Sequence, residues 1–324
     1  MVTTWPKNFP GLGTGANYLA KTVEELSNGE MSIKVYGAGE LVPALSIFDA
    51  VSRGTAEMGH GAAYYWRGKH EAAQFFATIP FGLTGQEMDA WIRFGGGQAL
   101  WDELYGKFNL KPFAVGNTGV SMGGWFNKKI QSPKDFKGLK IRMPGLGGEV
   151  LRELGATVVT VPGGEVFQSL KSGAIDASEW LGPYNDLAFG LHQAAKYYYW
   201  PGWHEPGTTI EAFVNDKALK ALPARLQTTL RLGCEVASQH MISEFNARNS
   251  EALETLKKKH QIKLEKFTDE TLKSLKENSE KVLNAIVAKD PFSRRVYDSY
   301  QSFQKKSAPW VTISEQGYSL ARQL

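Results

Sequence analysis

The sequence predicts an α/β protein of two lobes, joined by several crossings, with one long helix spanning both. Three observations carry the prediction. Residues 136–180 alternate short apolar strands with helices in a βαβαβ rhythm. The stretch from Trp5 to Trp66 follows the same logic. A helical run opening at Pro223 and reaching about residue 259 would be roughly 50 Å long at 1.5 Å per residue, enough to cross two lobes of a 324-residue chain.

Thr3, Thr4 and Trp5 open the chain as a short strand. A helix follows over 15–28, with Leu19, Val23 and Leu26 inward. Met31 to Tyr36 alternates apolar and polar side chains, as a strand does. A helix over 43–53 and a strand end over 56–61 lead to the loop Ala63-Tyr64-Tyr65-Trp66, placed where α/β proteins meet their ligands. Arg53-Gly54-Thr55-Ala56-Glu57-Met58 resembles Lys171-Ser172-Gly173-Ala174-Ile175-Asp176, which suggests two similarly built lobes. One helix is predicted over 86–108, then a strand over 111–117 that leaves the first lobe. The apolar–glycine run 119–126 enters the second.

In the central stretch, Leu139-Lys140-Ile141-Arg142-Met143 alternates as a strand that Pro144 stops, since proline has no ladder donor. Glycines 145, 147 and 148 precede a helix bearing Val150, Leu151 and Leu154. Residues 158–161 make a second strand and 164–171 a second helix, with Phe167 and Leu170 as its apolar face. A third strand starts at 173–177 and reaches Glu179 and Trp180. Parallel strands joined this way collect ligands outside their carboxyl ends. Arg142, Glu179 and Trp180 all fall there. The aromatic segment 197–203 ends in His204-Glu205-Pro206-Gly207, and a strand over 209–215 returns to the first lobe. Pro223 suits the first turn of the long helix. Residues 262–264 form a short strand, and the helices over 269–288 and 291–306 are amphipathic and lysine-rich. Ala308-Pro309-Trp310 is expected to break the last one. The lobes are drawn as 1–117 with about 208–245, and 118–207 with about 246–290, followed by a C-terminal helical extension over 291–324. Such crossings make a hinge, which suits ligand capture by closure.

Composition narrows the function classes. Hydrophobic residues at 42% and charged residues at 22% describe an ordinary soluble protein with enough apolar mass for a core. A net charge of +4, with Lys and Arg scattered, gives nucleic-acid binding little support. The single Cys234 excludes an intrachain disulfide and sits on a helical apolar face, as a buried thiol would. No apolar run approaches the ~20 residues of a membrane span. No signal peptide is visible, and Met1 stands directly before what reads as mature sequence, as expected of a secreted chain whose leader has been removed.

The run Phe136-Lys137-Gly138-Leu139-Lys140-Ile141-Arg142, Leu154-Gly155-Ala156, Ser172-Gly173-Ala174-Ile175-Asp176-Ala177 and the late Tyr199-Trp200-Pro201-Gly202-Trp203-His204 resemble DctP-type solute-binding proteins of tripartite ATP-independent periplasmic (TRAP) transporters. The similarity covers nearly the whole chain, and the Arg142 block together with the Gly-Ala-Ile-Asp block is its specific part. Glu179-Trp180 with Pro201-Gly202-Trp203-His204 is similar to the branch that binds 2-oxo or 2-hydroxy acids, in some members through a bound cation. The resemblance implies a periplasmic receptor with a two-lobed periplasmic-binding-protein-like fold, which hands a carboxylate to membrane permease subunits. It also implies a glutamine near Ser121 that would give its amide oxygen to the cation. Ser121 is shorter, which puts the cation in question and leaves the carboxylate clamp standing.

The chemistry of each candidate can be weighed residue by residue. Arg142 offers a planar fork that meets a carboxylate with two parallel charge-assisted bonds; spacing alone leaves it equally a surface arginine. Glu179 beside an anion site is repelled unless a cation such as Na⁺ or Ca²⁺, or a proton, intervenes. The alternative is pairing with a nearby lysine. Trp180 offers a backbone carbonyl to that cation and an apolar wall to the ligand. Glu205 is either a further cation ligand or a loop-surface residue. Tyr65 is the residue of the 63–66 loop chosen to reach the ligand, since neighbours at a strand end point in opposite directions. Asn117 is a hinge cap or a ligand contact, and Tyr184 and Trp203 are either cleft walls or core.

No H-E-x-x-H, G-x-S-x-G, phosphate-loop or dinucleotide pattern appears in its structural context. The six histidines make no helical metal-ligand pair. The enzyme alternative is a metal-assisted reaction on a carboxylic acid, with Arg142 as clamp and Glu179 as metal ligand; it lacks an evident general base. At the C-terminus, Phe292, Val296, Tyr297, Tyr300 and Phe303 lie at helical spacing. Some relatives in the resembling family exchange such a helix to form a homodimer; the other reading folds it back on its own chain.

Overall fold

The computed structural model describes all residues from Met1 to Leu324. Its strands are β1 (Val2–Thr3), β2 (Met58–Gly61), β3 (Leu110–Asn117), β4 (Gly124–Phe126), β5 (Lys140–Arg142), β6 (Thr157–Val159), β7 (Ala177–Ser178), β8 (Tyr197–Trp200), β9 (Thr209–Asn215) and β10 (Lys263–Lys266). They form two sheets, of order β1-β2-β9-β3 and β10-β8-β4-β7-β5-β6. In the first, β9 runs antiparallel to both β2 and β3 and is buried along its whole length. Residues 209–215 do return to the first lobe.

In the second sheet β5 lies between β7 and β6 and is parallel to both, as the βαβαβ rhythm requires. The two crossover helices are Gly145–Glu153 and Gly163–Lys171. Gly145 opens the first of them at φ +63, where a Cβ would lie 3.1 Å from the Tyr64 Cβ, so the glycines form the helix's first turn rather than a loop before it. That close approach brings the 63–66 segment, a 3₁₀ turn, against the second lobe.

The long helix runs Ala224–Lys258, with Pro223 as its N-cap. Leu226, Leu230, Cys234, Ala237, Met241, Phe245, Ala252 and Leu256 make its buried stripe. Cys234 is a buried free thiol. The helix packs against β3 and the helix Gly13–Leu26 on one side and against the helix Pro183–Ala188 on the other, so it spans both lobes.

Three expectations fail locally. Residues 31–36 keep their alternation of exposure but form no strand: Tyr36 makes one bridge to Val2, and the partner strand is itself only two residues long. The helix expected over 86–108 is two helices, Gly85–Phe94 and Gly97–Gly106, parted where Gly96 takes φ +86. The last long helix is Pro291–Val311 and runs through Pro309; at an exposed turn the missing N–H removes one rung, and a π turn over Thr312–Gln316 follows.

The front of that helix folds back on its own chain. The Tyr300 hydroxyl accepts the Leu83 N–H at 2.5 Å, and Arg295 makes two bonds to Glu103 at 3.0 and 2.8 Å. Beyond it Trp310, Ile313, Tyr318 and Leu320 are exposed. No helix is long and apolar enough to cross a membrane.

Candidate functional site

Arg142 ends β5 and Glu179 directly follows β7, so parallel pairing sets them side by side; each is 1% exposed. Arg142 Nη1 donates to the Glu179 carbonyl at 2.9 Å and to the Glu179 carboxylate. Nη2 reaches the Tyr65 hydroxyl from the other lobe at 3.4 Å, and Nε has no protein partner. The guanidinium therefore spends one end on Glu179. It keeps its Nε–Nη2 edge for a ligand. Its Cζ lies 4.9 Å from the Trp180 ring centroid. Burial would lower the Arg142 pKa, but Glu179 and the tyrosines raise it further, and the group stays cationic.

A second group adjoins this pair. Glu179, His204 and Glu205 are buried, and their ligating atoms lie within 4.8 Å of one another. His204 Nε2 is 3.2 Å from Glu179 Oε2. Gly147 permits that placement, since a Cβ there would lie 2.9 Å from the His204 Cβ. Glu205 Oε2 accepts the Thr208 hydroxyl at 2.9 Å and the Ser121 hydroxyl at 3.4 Å. Burial pushes Glu179 up to about 7 against the pull of Arg142. Burial and then the neighbouring Glu179 push Glu205 to about 7 as well. His204 is driven down to about 4 by burial, so it is neutral at pH 7. Two carboxylates face one guanidinium in a low-dielectric pocket, a donor set that suits a hard cation.

Among the other candidates, Ser121 and Glu205 join this group and Trp203 packs edge-on against His204 at 5.4 Å, whereas Asn117 and Tyr184 bond elsewhere. Asn117 Oδ1 accepts the Gly119 N–H at 2.9 Å, capping the chain where it leaves β3. The Tyr184 hydroxyl donates to Glu244 on the long helix at 2.8 Å. Trp203 is buried against Phe81, with ring centroids 5.9 Å apart. The apolar side chains of Trp5, Leu12, Tyr64, Tyr65, Trp180, Leu181 and Ile210 converge beside the site and leave a gap too tight to admit a water molecule. Sequence reasoning missed His204 and Trp5. His204 was visible as the end of the Pro201-Gly202-Trp203-His204 motif but was given no role of its own, and Trp5 only as a strand-end aromatic.

Residues 1–290 match the family Bacterial extracellular solute-binding protein, family 7. The chain belongs to this family.

Among family relatives, the monocarboxylate 2-oxoacid-binding periplasmic protein of Nostoc sp. is 42% identical over 98% of this chain and 87% of its own length. A TRAP periplasmic solute-binding protein from Pseudoalteromonas atlantica, solved with bound sodium and pyruvate, superposes with a TM-score of 0.95 at 39% identity, covering 98% of this chain and 96% of that one. A TRAP solute-binding protein from Bordetella bronchiseptica, a dimer with calcium and picolinate in one site, gives 0.97 at 36% identity, covering 100% and 98%. Family membership makes this chain a periplasmic solute-binding receptor that works with membrane components of a transporter. It gives the enzyme alternative no support.

Proposed function

We propose that the protein captures a small 2-oxo or 2-hydroxy monocarboxylate between its lobes and passes it to the permease subunits of a TRAP transporter. The observation that carries this is the Nε–Nη2 edge of the buried Arg142, whose Nε has no protein partner and whose Nη2 reaches only the Tyr65 hydroxyl. A carboxylate laid on that edge gains two parallel charge-assisted bonds, and the Tyr65 hydroxyl meets it from the first lobe. Glu179 and Glu205 bring two negative charges toward the same place, where unscreened like charges are costly. The residues that would hold a Na⁺ or Ca²⁺ are Glu179, Glu205 and the Trp180 carbonyl. When bound, the cation offsets that repulsion and draws the ligand's 2-oxygen. The sodium–pyruvate and calcium–picolinate complexes of the relatives support this chemistry. Trp5, Leu12, Leu181 and Ile210 close the apolar end of the site tightly, which suits a ligand with a short, uncharged tail.

Closure is proposed to swing residues 118–207 with about 246–290 against 1–117 with about 208–245. A homodimer is proposed through the C-terminal extension, whose exposed Trp310, Ile313, Tyr318 and Leu320 have no cover on their own chain.

A thermal-shift screen tests the capture. Pyruvate and other 2-oxo or 2-hydroxy acids should raise the melting temperature in calcium or sodium, chelation should remove calcium's contribution, and unsubstituted acids should do less. Equal stabilisation by unsubstituted acids, unaffected by removal of either cation, rejects the cation bridge. No stabilisation by any small carboxylate rejects the capture itself.

A further inference from the structure

We infer that Asn185 is a positioning residue that couples closure of the lobes to assembly of the anion site, an inference that rests on the capture proposed above. Asn185 is fully buried in the helix Pro183–Ala188. Its Oδ1 accepts the Trp180 indole N–H at 3.3 Å, and its Nδ2 donates to the Pro10 carbonyl at 2.9 Å. The amide's orientation follows from its partners, because an indole N–H only donates and a carbonyl only accepts. Trp180 follows β7 of the second sheet. Pro10 lies between β1 of the first sheet and the helix Gly13–Leu26. One side chain thus bonds to both lobes.

What it holds is a wall of the site. The Trp180 ring lies 4.9 Å from the Arg142 Cζ and edge-on to Trp5 and Phe9, at 6.3 and 6.2 Å between centroids. Phe9 also stacks on Phe189 at 4.1 Å, so the segment holding Pro10 docks beside Asn185 at a second point. Parting the lobes there leaves the Asn185 donor and the Pro10 carbonyl unpaired until water reaches them. Leaving the buried Asn185 amide unsatisfied is costly. Other polar contacts between the lobes differ in kind: the Phe81 N–H donates to the Trp203 carbonyl at 2.8 Å and the Tyr184 hydroxyl to Glu244 at 2.8 Å, and neither touches Arg142 or Trp180. Arg67 pairs with Glu149 at a half-exposed rim, where salt screens it, and Arg142–Tyr65 faces the ligand. Asn185 favours the closed form independently of the ligand and presents Trp180 to Arg142 when that form is reached.

The test uses the full chain and two variants. Asn185→Asp keeps an acceptor for Trp180 but turns an oxygen toward the Pro10 carbonyl, and Asn185→Leu keeps the volume and drops both bonds. Spin labels at Arg53→Cys and Lys171→Cys, exposed on opposite lobes, report the lobe–lobe distance in ligand-free protein. Stopped-flow tryptophan fluorescence reports pyruvate exchange in calcium. Asn185→Asp is expected to shift the ligand-free distances toward open and to raise the pyruvate dissociation rate about tenfold without slowing association. A folded Asn185→Asp with wild-type distances and dissociation rate overturns the inference. So does a lower melting temperature with both of those unchanged, which is what a merely structural residue would give. If Asn185→Leu does not fold, Asn185→Asp decides alone. If wild-type protein fails to bind pyruvate, the capture proposal falls, while the ligand-free distances still decide for or against Asn185.

Discussion

Arg142 and Glu179 bond to each other through both backbone and side chain. The Glu179 N–H donates to the Arg142 carbonyl at 3.2 Å, and Arg142 Nη1 donates to the Glu179 carbonyl at 2.9 Å and to its carboxylate. Strand pairing thus aims the guanidinium before any ligand arrives. Preorganisation of this kind lowers the ordering cost of binding.

Arg142→Lys should lower affinity for a 2-oxo acid at least about tenfold, because an ammonium is a point charge without the fork. Arg142→Ala should also lower the melting temperature of ligand-free protein, since a buried pair broken on one side costs ~3–5 kcal/mol. Calorimetry of binding and unfolding on both variants checks this. Wild-type affinity in either variant would remove Arg142 from the site.

Glu205→Gln keeps an oxygen for Thr208 and Ser121 while deleting one negative charge. The calcium concentration needed for half-maximal stabilisation by pyruvate should rise about tenfold or more, as expected when a charged ligand of a cation becomes neutral. A calcium titration followed by thermal shift measures it, and an unchanged midpoint rules Glu205 out as a cation ligand.

Glu211 offers a pH test away from the cleft. Burial pushes its carboxyl from 4.5 up to about 7, although Tyr105 and Trp66 hydrogen-bond to it and pull the other way. A folded value above the unfolded one means stability that is complete below about pH 4 and is lost as the pH rises through about 7. Glu211→Gln lacks that loss. Its stability relative to wild type should improve from pH 5 to pH 8 by an amount on the order of 3 kcal/mol, at about 1.4 kcal/mol per pKa unit. Burial lowers His60 to about 3, and it acts in the opposite sense, losing stability as the pH falls below about 6.5, but it is common to both proteins and cancels in the difference. A pH-independent difference contradicts the assignment.

Gly202→Ala should disrupt the loop that carries Glu205. An added Cβ would lie 2.0 Å from the Ser121 carbonyl oxygen, a backbone atom that cannot swing aside. A loss of about 1–3 kcal/mol in denaturant unfolding is expected from overpacking, with weaker ligand binding. Wild-type stability would show that the loop yields freely.

Ending the chain at Lys306 removes Trp310, Ile313, Tyr318 and Leu320 but keeps Tyr297 and Tyr300 packed on their own chain. Sedimentation should find a dimer for the full chain at micromolar concentration and a monomer, similarly stable, for the shortened one. A monomeric full chain rejects the proposed dimer.

Local chemistry made much of this protein legible in its sequence. Pro144 stops the strand that carries Arg142, apolar spacing marks the long helix, and the βαβαβ rhythm places Arg142 and Glu179 at carboxyl ends; each depends on near neighbours along the chain. Tyr36 and Pro309 show where that reasoning stops: a strand needs a partner long enough to pair with, and a proline ends a helix only where the lost rung is not tolerated. The site's finer makeup was decided by tertiary structure. His204 comes to Glu179 from 25 residues away, Tyr65 to Arg142 from 77 and Asn185 to Pro10 from 175. Sheet order and lobe packing set those meetings, and no local periodicity encodes them. Burial, which turns Arg142 from a surface arginine into a preoriented cation and raises Glu179 and Glu205 to about 7, exists only once both lobes have formed.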